Sequence, residues 1–175
     1  MALLLVLVSF GAAAGKAPLA LKGFDRIEIL HKGKVKLVIH RGGKVEMVGR
    51  KDHGQLHADG RFVGPRGKMA VRLLPDGALA VTQGDKSRRL PLAIDPRGKL
   101  RSTGKNKMPP LFIGDNGSLE GGPKKAKGMQ SIKVRGASND AARRAAMLVL
   151  ASLLVPMELV APNAAPPPAR RKSTK

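Results

Sequence analysis

The segment "HGQLH" at residues 53–57 sets two histidines four apart. Zinc proteases use that spacing to place two imidazoles on one face of a helix. A helix is not expected here, because Gly54 interrupts the segment and an Asp-Gly turn follows at Asp59. The Glu that should follow the first His is also missing. In an extended chain, residues four apart share a face but stand roughly 13 Å apart, too far for one metal ion. His31, His40, His53 and His57 are therefore read as solvent-facing, and no metal or other cofactor is expected.

The other chemistry-bearing residues give equally plain readings. Asp59, Asp76, Asp95 and Asp115 each sit in a glycine-bearing turn and invite comparison with calcium loops. Each turn offers one carboxylate, flanked by cations such as Arg61, Arg97 and Lys99, whereas calcium needs clustered oxygens. "GPRGKM" at 64–69 and "GKLRSTGKN" at 98–106 have the wrong glycine spacing for a phosphate loop, and Met69 and Asn106 stand where Ser or Thr is required. No poised carboxylate pair and no G-x-S-x-G elbow occurs. The sequence is read as that of a non-enzymatic protein.

Charge is the strongest signal. The 175 residues carry 33 Lys plus Arg against 12 Asp plus Glu, a formal net charge of +21. Self-repulsion on that scale is costly without a polyanion as partner. The densest clusters are Arg97, Lys99, Arg101, Lys105 and Lys107, then Lys124, Lys125 and Lys127, and these eight are the candidate polyanion-binding residues. A further group, Arg170, Arg171 and Lys172, lies near the end of the sequence. Four Phe with no Tyr or Trp argue against binding single-stranded nucleic acid by stacking bases. Contact with a duplex backbone alone needs no aromatics. The absence of Cys excludes disulfides and thiolate chemistry.

These residues must be held by strands. "KVKLVIH" alternates, with Val35, Leu37 and Ile39 on one face, and "KVEMV", "AVRLL", "LPLAI" and "SIKVR" continue the pattern. The intervening turns recur: Gly43, Gly60, Gly77, Gly98 and Gly117 are separated by 17, 17, 21 and 19 residues. Asp-Gly between apolar runs signals a hairpin, so residues 15–137 are predicted to form an all-β antiparallel body of repeated hairpins. Ser138, Asn139 and Asp140 can cap the helix predicted over 138–160, apolar nearly all round from Ala145 to Val155. Covering the sheet is the expected role of this helix; short membrane insertion and self-association are the alternatives. No transmembrane span is expected, because the apolar stretch falls short of about 20 residues and Pro156 and Glu158 interrupt it. Residues 161–175 read as a disordered, Pro/Ala-rich basic tail.

The first residues, "MALLLVLVSFGAAAGKAP", contain an apolar run from Leu3 to Phe10, and Ala12 and Ala14 fit the A-x-A cleavage rule. Residues 1–14 are accordingly predicted to be a signal peptide, although no Lys or Arg precedes the run. The alternative is a buried first strand.

Leader, Asp-Gly hairpins and the closing "AARRAAMLVLASLL" together resemble uncharacterised exported bacterial proteins built from such hairpins, over about residues 24–155. That resemblance implies architecture and export and brings no activity with it. The expected function is association of an exported protein, in the periplasm, on the envelope surface or outside the cell, with anionic envelope lipid or acidic polysaccharide. The alternative is an intracellular protein that contacts the phosphate backbone of nucleic acid. Oligomeric state is not legible in the sequence.

Overall fold

The computed structural model describes residues 19–65, 67, 70–83, 86–104, 108–122 and 128–154. The strands are β1 (Arg26–His31), β2 (Lys34–His40), β3 (Lys44–Met47), β4 (His53–Leu56), β5 (Arg61–Val63) and β6 (Ala70–Leu73). They continue as β7 (Ala78–Gln83), β8 (Lys86–Ile94), β9 (Leu100–Ser102), β10 (Leu111–Ile113), β11 (Leu119–Gly121) and β12 (Ile132–Arg135). One helix, α1 (Asp140–Leu154), follows. It falls within the predicted 138–160, of which residues 155–160 lie outside the described residues, as do the predicted leader and tail.

The protein is mainly β, as its alternation and turns predict. The strands form one antiparallel meander in which each pairs with its sequence neighbours, and β12 returns to lie beside β1. The other edge then approaches β12. Ser118 bridges to Lys133, and the Val134 amide donates to the Gly117 carbonyl at 2.7 Å. The sheet is thus nearly closed, which removes most of the exposed edge that an open meander would leave.

The glycine repeat makes this construction periodic. Gly43, Gly60, Gly77 and Gly117 each lie at a hairpin tip with positive φ. Their carbonyls accept from Leu56, Leu73, Ile94 and Val134 at 2.7–2.8 Å, and each of these acceptances reaches the next strand pair. A side chain has no room at such a point: a Cβ on Gly43 would lie 1.9 Å from the Leu56 carbonyl oxygen. The structure also extends the repeat by one member. Gly136, 19 residues beyond Gly117, has φ +79 and packs against the Arg26 carbonyl at the start of β1. Each repeat therefore supplies two strands and the socket for the next pair.

Inside the sheet, every strand contributes to a single apolar cluster, from Ile27 and Ile29 on β1 through Leu37, Ile39 and Val45 to Val134 on β12. The cluster is centred on α1. Asn139 caps the helix: its Oδ1 accepts from the Ala142 amide at 2.9 Å, while its Nδ2 donates to the Gly23 carbonyl at 2.7 Å. From Ala145 to Ala151 no residue is more than 2% exposed, and α1 packs against β1, β5, β6, β8 and β10. A helix buried on all sides needs a partner on all sides, and the curled sheet supplies it. The predicted covering helix is in fact enclosed. Among the described residues no helix is long and apolar enough to cross a membrane.

Candidate polyanion-binding end

A meander places alternate connections at opposite ends of the sheet. One end carries the β2–β3, β4–β5, β6–β7, β8–β9 and β10–β11 turns, and the N-terminus of α1 enters there beside Gly23 and Gly98. The other end carries the β1–β2, β3–β4, β5–β6, β7–β8, β9–β10 and β11–β12 connections. The two ends differ sharply in charge.

At the first end the acidic residues are consumed by the turns and their neighbours. Asp59, Asp76 and Asp95 each accept, through Oδ1, from the amide two residues ahead, at 3.0–3.1 Å. Their remaining oxygens meet arginines: Asp59 lies near Arg61 and Arg72, Asp76 pairs with Arg89, and Asp95 Oδ2 accepts from Arg101 at 2.9 Å. The Ala78 amide, then the Arg89 guanidinium, lowers the pKa of Asp76 below the usual carboxylate range. The fourth turn departs from the expected pattern. Asn116, not Asp115, accepts from the Ser118 amide at 2.8 Å, which frees Asp115 to accept from Arg143 on the helix at 2.8 Å. Carboxylates so engaged have no array of free oxygens to offer a cation. Among the described residues no group of three or more His, Cys, Asp and Glu converges as metal ligands.

Three of the predicted polyanion-binding residues lie at this end. Arg97 and Lys99 line an open cleft of about 530 Å³ with Phe112, Asp115, Glu120 and Arg143. Lys99 Nζ stands 5.1 Å from the Phe112 ring centroid, and Arg101 is held by Asp95. They are interleaved with carboxylates, so their field is largely compensated. Lys105, Lys107, Lys124, Lys125 and Lys127 lie outside the described residues. The strands that bracket them, β9 with β10 and β11 with β12, leave and rejoin the sheet at the opposite end.

No family model, curated protein or solved structure matches this chain.

At the opposite end, Lys32, Lys34, Lys36, Arg50, Lys51 and Lys133 are all exposed, and none makes an ion pair among the described residues. Lys34 and Lys36 lie on β2 and Lys133 on β12, with Lys32 in the β1–β2 turn and Arg50 and Lys51 in the β3–β4 connection. Asp52 is the only acidic residue described in the connections at this end. Farther along the same strands, Glu46 is already matched by Lys44 Nζ at 2.7 Å and His40 Nε2 at 3.0 Å. Those two partners hold its pKa down at about 2.

Sequence reasoning missed this arc because it looked for runs of cations, and these are dispersed along the chain. Their signal lay in the turns. The β1–β2 and β3–β4 connections read "HKGK" and "VGRKD", where four of the five turns at the other end carry an Asp.

Proposed function

We propose that this is a non-enzymatic exported protein that associates with anionic envelope material through the cationic end of its closed sheet. The observation that carries the reading is the segregation of charge. Asp59, Asp76, Asp95 and Asp115 are matched by arginines at the Asp-Gly end, while six exposed cations on β2, β12 and two connections at the other end have no acidic partner among the described residues. A rigid arc of uncompensated charge attracts a polyanion, and the attraction weakens as salt screens it.

Export rests on the apolar run from Leu3 to Phe10 and the A-x-A pattern at Ala12 and Ala14. Leu19 is buried, and its amide donates to the Ala58 carbonyl at 3.3 Å. Cleavage after Ala14 would leave that contact and everything beyond it intact.

The test is sedimentation with anionic vesicles and retention on acidic polysaccharide over a range of salt. Near an anionic surface each cation contributes about 1 kcal/mol. The triple variant Lys34→Glu, Lys36→Glu, Lys51→Glu is expected to lose at least about 100-fold in affinity, and Arg97→Glu about fivefold or less. Equal losses would move the site to the Asp-Gly end. Salt-insensitive binding would sink the reading. The same cations would serve a phosphate backbone, and a full-length species found in the cytoplasm by intact-mass analysis would turn the assignment to nucleic acid.

A further inference from the structure

Two large apolar side chains stand out from the surface of the described residues: Val48, 58% exposed, and Leu153, 52% exposed. Isolated apolar residues on a surface are ordinary. Their placement is not. Val48 follows β3 in the β3–β4 connection, where its amide donates to the Lys36 carbonyl at 2.9 Å and Arg50 and Lys51 come next. It therefore stands within the cationic arc. Leu153 is fixed at the same end by the direction of α1. The helix enters at the Asp-Gly end, where Ala141 meets Gly23 and Arg143 meets Asp115, and it stays buried through Ala151. The twelve residues from Ala141 to Leu153 rise about 18 Å. Leu153 thus emerges from the far mouth of the sheet, and the sequence after Leu154, "VPMELV", is mostly apolar.

A polysaccharide or a nucleic-acid backbone has no use for apolar residues set among the cations. A bilayer does. Its head groups draw in basic side chains, and its interfacial zone receives apolar ones. We propose that the cationic end docks end-on upon an anionic lipid bilayer, with Lys32, Lys34, Lys36, Arg50, Lys51 and Lys133 at the head groups and Val48 and Leu153 in the interfacial zone. This inference rests on the polyanion reading and chooses one partner within it. The protein remains on the membrane surface, because α1 is committed to the interior of the sheet.

The protein lacks Trp and Tyr, so an introduced Trp is its only strong fluorophore. Val48→Trp, Leu153→Trp and, at the opposite end, Arg97→Trp are made in the full chain. Each is mixed with vesicles of phosphatidylcholine containing phosphatidylglycerol, with vesicles of phosphatidylcholine alone, and with dextran sulfate. The expected result is a blue-shifted emission, quenched by brominated acyl chains, at positions 48 and 153 with the anionic vesicles only, and no shift at 97. Because Trp brings its own affinity for the interface, Val48→Asp and Leu153→Asp supply the second measurement. Each is expected to weaken vesicle binding about tenfold, as burial of a Val or Leu side chain requires, and to leave dextran sulfate binding unchanged. Vesicle binding with no shift at 48 or 153 and no loss in the Asp variants would overturn the inference and leave the polyanion reading standing. Binding to dextran sulfate alone would do the same. Binding to neither would remove both.

Discussion

Lys32 is the one non-glycine residue with a positive φ among the described residues, at 51°. With Gly33 at 75° it forms the β1–β2 turn, a conformation in which both central residues favour Asn or Gly. A lysine there costs about 1 kcal/mol. Lys32→Asn should therefore raise stability by up to about that amount in a denaturant titration while weakening polyanion binding. A gain in both, or a loss of stability, would mean that the turn does not hold Lys32 at a cost. Glycines divide on the same grounds. Gly33→Ala meets only the backbone penalty, about 1 kcal/mol, because no atom lies within 4 Å of the added Cβ. Gly117→Ala would set its Cβ 2.2 Å from the Val134 carbonyl oxygen, at the seam where the sheet closes. A loss of about 3 kcal/mol or more is expected there, and equal losses at the two glycines would refute the socket role of the repeat.

The helix is the element whose environment departs most from a simple cover. An amphipathic helix on an open sheet keeps one face wet. On α1, the residues from Ala145 to Ala151 point about 100° apart in succession and so cover every side of the axis, yet none is more than 2% exposed. Met147→Ala, Leu148→Ala and Leu150→Ala should each cost about 2–5 kcal/mol of unfolding free energy. A near-neutral result at one of the three would mark an open side. Apolarity all round was legible from Ala145 onward, and it required burial on all sides. What enclosed the helix was not legible, because closure rests on the Ser118–Lys133 bridge and the β1–β12 pairing, contacts between residues far apart in sequence. The hairpins were legible because turn chemistry is local: Asp59, Asp76 and Asp95 cap their own turns. The same local logic misassigned Asp115, since its neighbour Asn116 can make the identical bond.

Across the whole molecule, the repeat explains both shape and charge. Six glycines, Gly43, Gly60, Gly77, Gly98, Gly117 and Gly136, serve twelve strands, and the alternation of the meander sets Asp59, Asp76, Asp95 and Asp115 at one end and Lys32, Arg50 and Lys51 at the other. Of the cations picked out in the sequence, the described Arg97, Lys99 and Arg101 lie at the Asp-Gly end. The interior is shared in the same way: every strand contributes at least one buried residue to the cluster that contains α1. A chain ended before Asp140 should consequently lose the sheet along with the helix. Far-ultraviolet circular dichroism of that shortened chain would reveal the loss, and a retained cooperative β transition would contradict it.

The central position of α1 also sets an order in time. Translation delivers the strands first and their common support last, so the wall of the molecule is made before there is anything for it to close upon. β1 must wait for β12, made about a hundred residues later, to find this partner. Contacts between distant parts of a chain form slowly. A polypeptide built in this order stays open until α1, the support its wall closes upon, has itself been made.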